Sequence, residues 1–183
     1  MIRLETSRLI LRPFEERDAA NLLAYLAHPI SHCFVADRII SIEDALVKIR
    51  NRQRNNDYIA VCLKDSDQLI GEIFLMKEQP DTYSIGWNFN QRFHGQGYAK
   101  ESTGMVMNCL FQQFNTRRIY AYVEEDNLAS QKLCERLGFR QEGHFLEFIS
   151  FIKNTDGTAK YENTLQYAIL RKEWDAYQLA IVG

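Results

Sequence analysis

The chain has 183 residues, of which 46% are hydrophobic, 25% charged and 12% aromatic, the balance of a globular protein rather than a disordered, collagenous or membrane-spanning one. Lys and Arg number 22 against 24 Asp and Glu, for a formal net charge of -2, so no overall attraction draws it to nucleic acid or anionic lipid. At this length one domain, residues 1–183, can bury roughly 70% of the unfolded surface without a disulfide or a metal.

Cys33, Cys62, Cys109 and Cys134 show no CxxC pairing and no clustered histidines, so they read as reduced thiols, with no metal expected. No apolar run approaches the roughly 20 residues of a membrane span. Nothing directs export, which makes the cytoplasm the expected compartment and a membrane an unexpected partner.

In chain order, Arg8 to Arg12 alternates as a first strand, and Asp18 reads as the cap of a helix with the apolar stripe Ala19, Leu22, Leu23 and Leu26. Ile42, Ala45, Leu46 and Ile49 repeat that spacing in a helix that ends in the polar residues Asn51 to Asp57. Tyr58 to Leu63, Leu69 to Met76 and Thr82 to Phe89 read as an antiparallel meander. Thr103, Val106, Met107, Leu110, Phe111 and Phe114 mark one face of a long helix, and a strand from Ile119 to Glu124 follows. A further helix starts at Asp126 or Asn127, turns Ala129, Leu133 and Leu137 inward and stops at Gly138. Phe139 to Ile152 and Tyr161 to Leu170 form a last hairpin around Asn154 to Gly157. The fold class is α+β, with a mixed, mostly antiparallel central sheet of about six or seven strands flanked by about four helices.

The chemistry concentrates in Ile85 to Ala99: a strand, a loop with Gly95 and Gly97, then a helix start. Glycines let a ligand approach the backbone, and a helix start offers unpaired N–H donors and partial positive charge. Together they suit a phosphate or pyrophosphate; the competing reading is a strand-to-helix turn that uses two glycines for geometry alone. The run lacks the third glycine of a dinucleotide fingerprint and the Gly-Lys-Ser/Thr ending of a P-loop.

Arg92-x-x-Gly95-x-Gly97 resembles the Q/R-x-x-G-x-G/A signature of the GNAT superfamily of N-acetyltransferases. Asn127-x-x-Ser130-x-x-Leu133 through Phe139 is similar to that family's later acetyl-CoA-binding block. Leu4 to Pro13 and Tyr167 to Trp174 resemble the opening and the ending of its RimJ/RimL-like, ribosomal-protein N-acetyltransferase branch. The likeness runs from about residue 2 to residue 175.

The resemblance implies acetyl-CoA as cosubstrate, its pyrophosphate on the main-chain amides of Arg92, Phe93, His94, Gly95, Gln96, Gly97, Tyr98 and Ala99. It places the pantetheine arm between Ser84–Phe89 and Ile119–Glu124, with main-chain groups of Trp87, Asn88 and Phe89 on the arm and the thioester carbonyl. Asn127 is implied to contact the arm or a water, and a helix cap is its competing role. His94 is either a phosphate or substrate ligand or a surface side chain.

Attack on a thioester needs an unprotonated amine, whose ordinary pKa is about 8 for an α-amine and about 10.4 for lysine. Glu72 is the first candidate for general base, with Glu124 and Glu125 competing and a solvated strand carboxylate as the alternative. The family often has a tyrosine that protonates the leaving thiolate; here Cys134 stands in its place, so Ser130, Cys134 or water must serve. Cys134 is equally a small buried apolar residue. Ser84 stands where many relatives carry a glutamate. Phe14, Tyr25, Phe34, Trp87 and Phe145 line a substrate mouth or pack the core, and Asp37, Glu142 and Glu147 attract a cationic amine or are solvated surface.

The expected activity is acetyl-CoA-dependent N-acetylation of a primary amine by direct attack, the acceptor being a protein N-terminal α-amine. A small-molecule amine (polyamine, antibiotic or amino acid) or a non-catalytic acyl-CoA-binding module is the alternative. Nucleic acid is not an expected partner, and a sheet edge or the tail from Trp174 to Val182 offers a surface for a homodimer.

Overall fold

The computed structural model describes residues 3–55 and 57–182. Eight strands are present among them, β1 (Leu4–Glu5), β2 (Leu9–Arg12), β3 (Tyr58–Leu63), β4 (Leu69–Glu78), β5 (Thr82–Phe89), β6 (Arg118–Glu124), β7 (Arg140–Lys153) and β8 (Ala159–Leu170). Five α-helices accompany them, α1 (Ala19–Leu26), α2 (Ile42–Arg54), α3 (Tyr98–Gln113), α4 (Leu128–Arg136) and α5 (Arg171–Val182), with 3-10 segments at Glu16–Asp18, His32–Asp37 and Gln91–Phe93. The hydrogen-bonded strand order is β1-β2-β3-β4-β5-β6-β8-β7. The α+β class stands; the expected count of six or seven strands and four helices is corrected by the short β1 and by α5. The chain divides into two compact units, residues 1–75 with 86–106, and residues 76–85 with 107–183.

In the first unit β1, β2, β3 and β4 pair antiparallel, with Leu11 opposite Val61 and Ala60 opposite Glu72. Phe14, Leu22, Tyr25 and Leu26 pack with Ala45 and Ile49 over Ala60, Cys62 and Leu69. The helix α2 starts on a capping box, in which Ser41 accepts from the Asp44 amide at 3.0 Å and the Asp44 carboxylate accepts from the Ser41 amide at 3.1 Å. Arg52 and Arg54 in its last turn face the negative end of the helix dipole.

The expected cap at Asp18 is not formed. Its carboxylate instead accepts from Arg12 Nη1 and Nη2, both at 2.8 Å, and from the Glu15 amide at 2.8 Å. A buried guanidinium is a stronger claimant on that carboxylate than the amides of a helix start.

In the second unit β5 runs parallel to β6, with Tyr83 opposite Ile119, and α3 makes the crossover that a parallel pair needs. β6 and β7 flank β8, both antiparallel to it. The ladder between β7 and β8 breaks register at Gln141/Gly143, Phe145/Ile149 and Ile149/Ile152. Glu147 adopts a φ of 47° there, and its amide donates to Asn163 Oδ1 at 2.8 Å. The ring of Trp174 in α5 is buried and stacks on Phe111 with centroids 6.1 Å apart.

Helix α4 ends as its glycine predicts. Gly138 takes a φ of 82°, its amide donates to Glu135 O at 3.0 Å and the Phe139 amide donates to Cys134 O at 3.0 Å. Leu133 and Leu137 are buried, but Ala129 is exposed, which corrects its inward assignment. Among the described residues no helix is long and apolar enough to cross a membrane.

Candidate active site

The first unit carries the glycine loop. Asn90 closes β5 by accepting the Arg92 amide on Oδ1 at 3.1 Å, and the amides of Phe93 and His94 donate to Asn90 O and Gln91 O at 2.9 and 3.0 Å. These bonds turn the chain sharply. The ring Nε2 of His94 donates back to Phe89 O at 3.0 Å and pins the turn to the strand end. Gly95 and Gly97 follow with φ of 75° and 82°, a region a side chain occupies only with strain. Apart from its chain neighbours, no atom of the described residues lies within 4 Å of where a Cβ on Gly95 would sit. The loop thus leaves open space beside the backbone where α3 begins at Tyr98.

Arg8, read from the sequence only as part of the first strand, belongs to this loop. Its Nη1 donates to Gln96 O at 3.0 Å, its Nε donates to Glu101 Oε2 at 2.8 Å, and its guanidinium lies 4.5 Å from the Tyr98 ring centroid. Burial works to raise the Glu101 carboxyl, but the Thr6 hydroxyl and Arg8 outweigh it and hold that carboxyl below its usual range. The anionic Glu101 anchors the cation, and Nη2 of Arg8 comes 3.5 Å from the position of a Cβ on Gly97.

Glu72 lies in the same unit and is not a solvated strand carboxylate: its side chain is 1% exposed. Ala60 opposite it on β3 is small enough to leave room, and Arg52 of α2 fills that room, donating from Nη2 to Glu72 Oε1 at 2.8 Å. Oε2 has no hydrogen-bond partner among the described residues. Burial pushes the carboxyl up and Arg52 pulls it back, leaving it at about 7. Arg52 falls in the polar stretch that ends α2, and it is buried there.

The expected aromatic mouth separates into parts. Phe14 and Tyr25 are core. Phe34 is half-buried and meets Phe74 edge-on at 6.1 Å, while Trp87 is half-buried. Asp37 pairs with Lys48 and is no longer a spare charge for an amine.

In the second unit Asn127 caps α4, its Oδ1 accepting the Ser130 amide at 3.1 Å. Ser130 is half-buried one turn before Cys134, which is fully buried. Burial, with Glu135 adding to it, pushes the Cys134 thiol up to about 12, so it is protonated at neutral pH. Glu125 is engaged by His144 Nε2 at 2.8 Å and by Asn163 Nδ2 at 2.8 Å, and Glu124 is buried.

Ser84 sits opposite Tyr120 in the parallel ladder and hydrogen-bonds its phenol, which donates to Glu78. Burial first, then Glu78, pushes that phenol up to about 12. Glu142 is claimed by Arg118 and Arg140, and Phe145 packs against Tyr122 and Phe148.

Comparison with known proteins gives this geometry a context. The family described as "Acetyltransferase (GNAT) domain" matches residues 8–140. The chain is similar to the uncharacterized N-acetyltransferase YnaD of Bacillus subtilis, 31% identical over 176 residues that make up 95% of this chain and 100% of that one. It is also similar to the [ribosomal protein uS5]-alanine N-acetyltransferase of Escherichia coli, 23% identical over 163 residues, 81% of this chain and 83% of that one. The crystal structure of a GNAT-family acetyltransferase from Bacillus anthracis superposes with a TM-score of 0.84 at 25% identity, covering 94% of this chain and 100% of that one.

Proposed function

We propose, from the premise that this chain belongs to the GNAT acetyltransferase family, that it is a single-domain enzyme moving the acetyl group of acetyl-CoA to a protein N-terminal α-amine. The carrying observation is the loop in which Gly95 and Gly97 take φ of 75° and 82° and Gly95 leaves open space beside main-chain donors at the start of α3. Acetyl-CoA supplies the activated acyl group. The amides of Arg92, Phe93 and His94 are occupied by the turn itself, so the diphosphate falls to Gly95, Gln96, Gly97, Tyr98 and Ala99. Main-chain groups of Trp87, Asn88 and Phe89 hold the arm, and Asn127 orders the start of α4.

Glu72 is the base. At about 7 its carboxyl lies close to an α-amine's ordinary value of about 8, so proton transfer between them is nearly balanced at neutral pH. Oε2 takes the proton through one bridging water, because the carboxyl is buried. The leaving thiolate, whose thiol has an ordinary pKa near 8.5, takes its proton from water; in the second unit Ser130 is half-buried at the start of α4 and Cys134 packs the core. The uS5-alanine acetyltransferase among the sequence relatives supports an α-amine as acceptor. Cysteines that show no CxxC pairing fit a reducing compartment such as the cytoplasm.

The test is to supply acetyl-CoA with a peptide bearing a free N-terminus, the same peptide blocked there, and a linear polyamine, following thiol release. Turnover on the free peptide alone is expected. Turnover on the polyamine alone would move the acceptor to small molecules, and acetyl-CoA binding with no turnover on any of them would leave a binding module.

A further inference from the structure

A buried ion pair is a poor way to stabilise a fold, since two well-packed apolar side chains serve about as well or better. Arg52 and Glu72 are such a pair, with side chains 5% and 1% exposed. They also leave Arg52 Nη1, Glu72 Oε2 and the nearby Tyr25 Oη without hydrogen-bond partners among the described residues, an added cost for buried polar atoms. The guanidinium is fixed in direction, 5.0 Å from the ring centroid of Phe14 and 5.1 Å from that of Tyr58. Rigid aim at one carboxylate oxygen, with the other left unbonded, is what a proton acceptor needs and what stability does not.

We propose that Arg52 is the positioning residue for acetyl transfer: it occupies Oε1 of Glu72 and so presents Oε2 as the one atom that receives the acceptor's proton. This rests on the reading of Glu72 as base. The other groups that face Glu72 are Lys48 of α2, Asp37 of the His32–Asp37 turn, and the phenols of Tyr25 on α1 and Tyr58 on β3. Lys48 and Asp37 pair with each other, so their opposed effects largely cancel. Arg52 is the cation that sets the charge of Glu72 as well as its direction.

The test is the pH dependence of kcat/KM, with the peptide acceptor, for the wild type, Arg52→Lys, Arg52→Met and Glu72→Gln, beside acetyl-CoA affinity and thermal melting. In Arg52→Met the acid limb should move up by roughly one pH unit or more. In Arg52→Lys it should stay near its wild-type position while kcat falls about tenfold. Acetyl-CoA affinity should be unchanged in both. Glu72→Gln should lose the limb and at least about a hundredfold in kcat. Unmoved limbs and unreduced kcat in the two Arg52 variants, with Glu72→Gln crippled, overturn the role of Arg52 and leave the base standing. A wild-type rate and limb in Glu72→Gln overturn both. If Arg52→Met does not fold, Arg52→Lys decides alone, a wild-type kcat counting against the proposal and the tenfold loss with unchanged acetyl-CoA affinity supporting it.

Discussion

Arg8 and Glu101, 93 residues apart in the chain, form a two-sided contact in which Arg8 Nε and Nη2 meet Glu101 Oε2 at 2.8 and 2.6 Å. The pair brings the strand β2 entry against the first turn of α3, and through Nη1 it also holds the carbonyl of Gln96. The bond to that carbonyl fixes the peptide plane between Gln96 and Gly97, and with it the direction of the Gly97 amide. Arg8→Ala should raise the KM for acetyl-CoA roughly three- to tenfold, the worth of about one hydrogen bond, with little change in kcat. Steady-state kinetics with acetyl-CoA as the varied substrate checks this.

Gly95 and Gly97 make a sharper prediction. Valine at either position must take a φ near 80°, where a β-branched side chain is strained by about 1 to 3 kcal/mol. Relief of that strain turns the amides away, so the KM for acetyl-CoA should rise tenfold or more while the melting temperature moves by only a few degrees. An unchanged KM in the double variant would remove the cradle from the mechanism.

The Glu72 carboxyl gives up its proton at an ordinary value of 4.5 when unfolded and at about 7 in the fold. Because the folded value is raised, the stability it contributes is full below 4.5 and is lost as pH rises through about 7. That gap amounts to roughly 3 kcal/mol. Denaturant titrations across this window should show the wild type weakening and Glu72→Gln nearly flat. Asp44, Glu101, Glu142 and Asp156, all lowered by their hydrogen-bond and charge partners, keep the opposite trend at more acid pH in both proteins.

Cys134 is the remaining candidate for covalent chemistry, and its burial and raised pKa speak against it. Cys134→Ala should retain at least half of the wild-type kcat and lose about 1 kcal/mol of stability from the space it leaves. Complete loss of transfer with folding and acetyl-CoA binding intact would instead give Cys134 a direct part in the chemistry, as proton donor or as an acetyl-cysteine.

The parts of the protein legible in its sequence are those written locally. Gly95, Gly97 and Gly138 each dictate a backbone turn from within a few residues, and the apolar runs from Tyr58 to Phe89, bounded by turn residues, can be read as strands alone. What was not legible depends on which partner a residue finds once the chain is folded. Arg52 looked like part of a polar helix end because its partner lies 20 residues on, across β3. Asp18 looked like a cap because nothing near it announces Arg12 as a rival. Two residues make β1 a strand only through their pairing with Ile10 and Leu11. Of the site, the loop was visible and the charge that steadies it at Arg8 was not.

Strand β7 stands last in the hydrogen-bonded order, and three register breaks with a left-handed residue at Glu147 interrupt it. Its outer rim therefore never offers the long, evenly spaced row of amides and carbonyls onto which a foreign strand could zip. Irregularity there makes this edge a poor template for ribbons or fibrils.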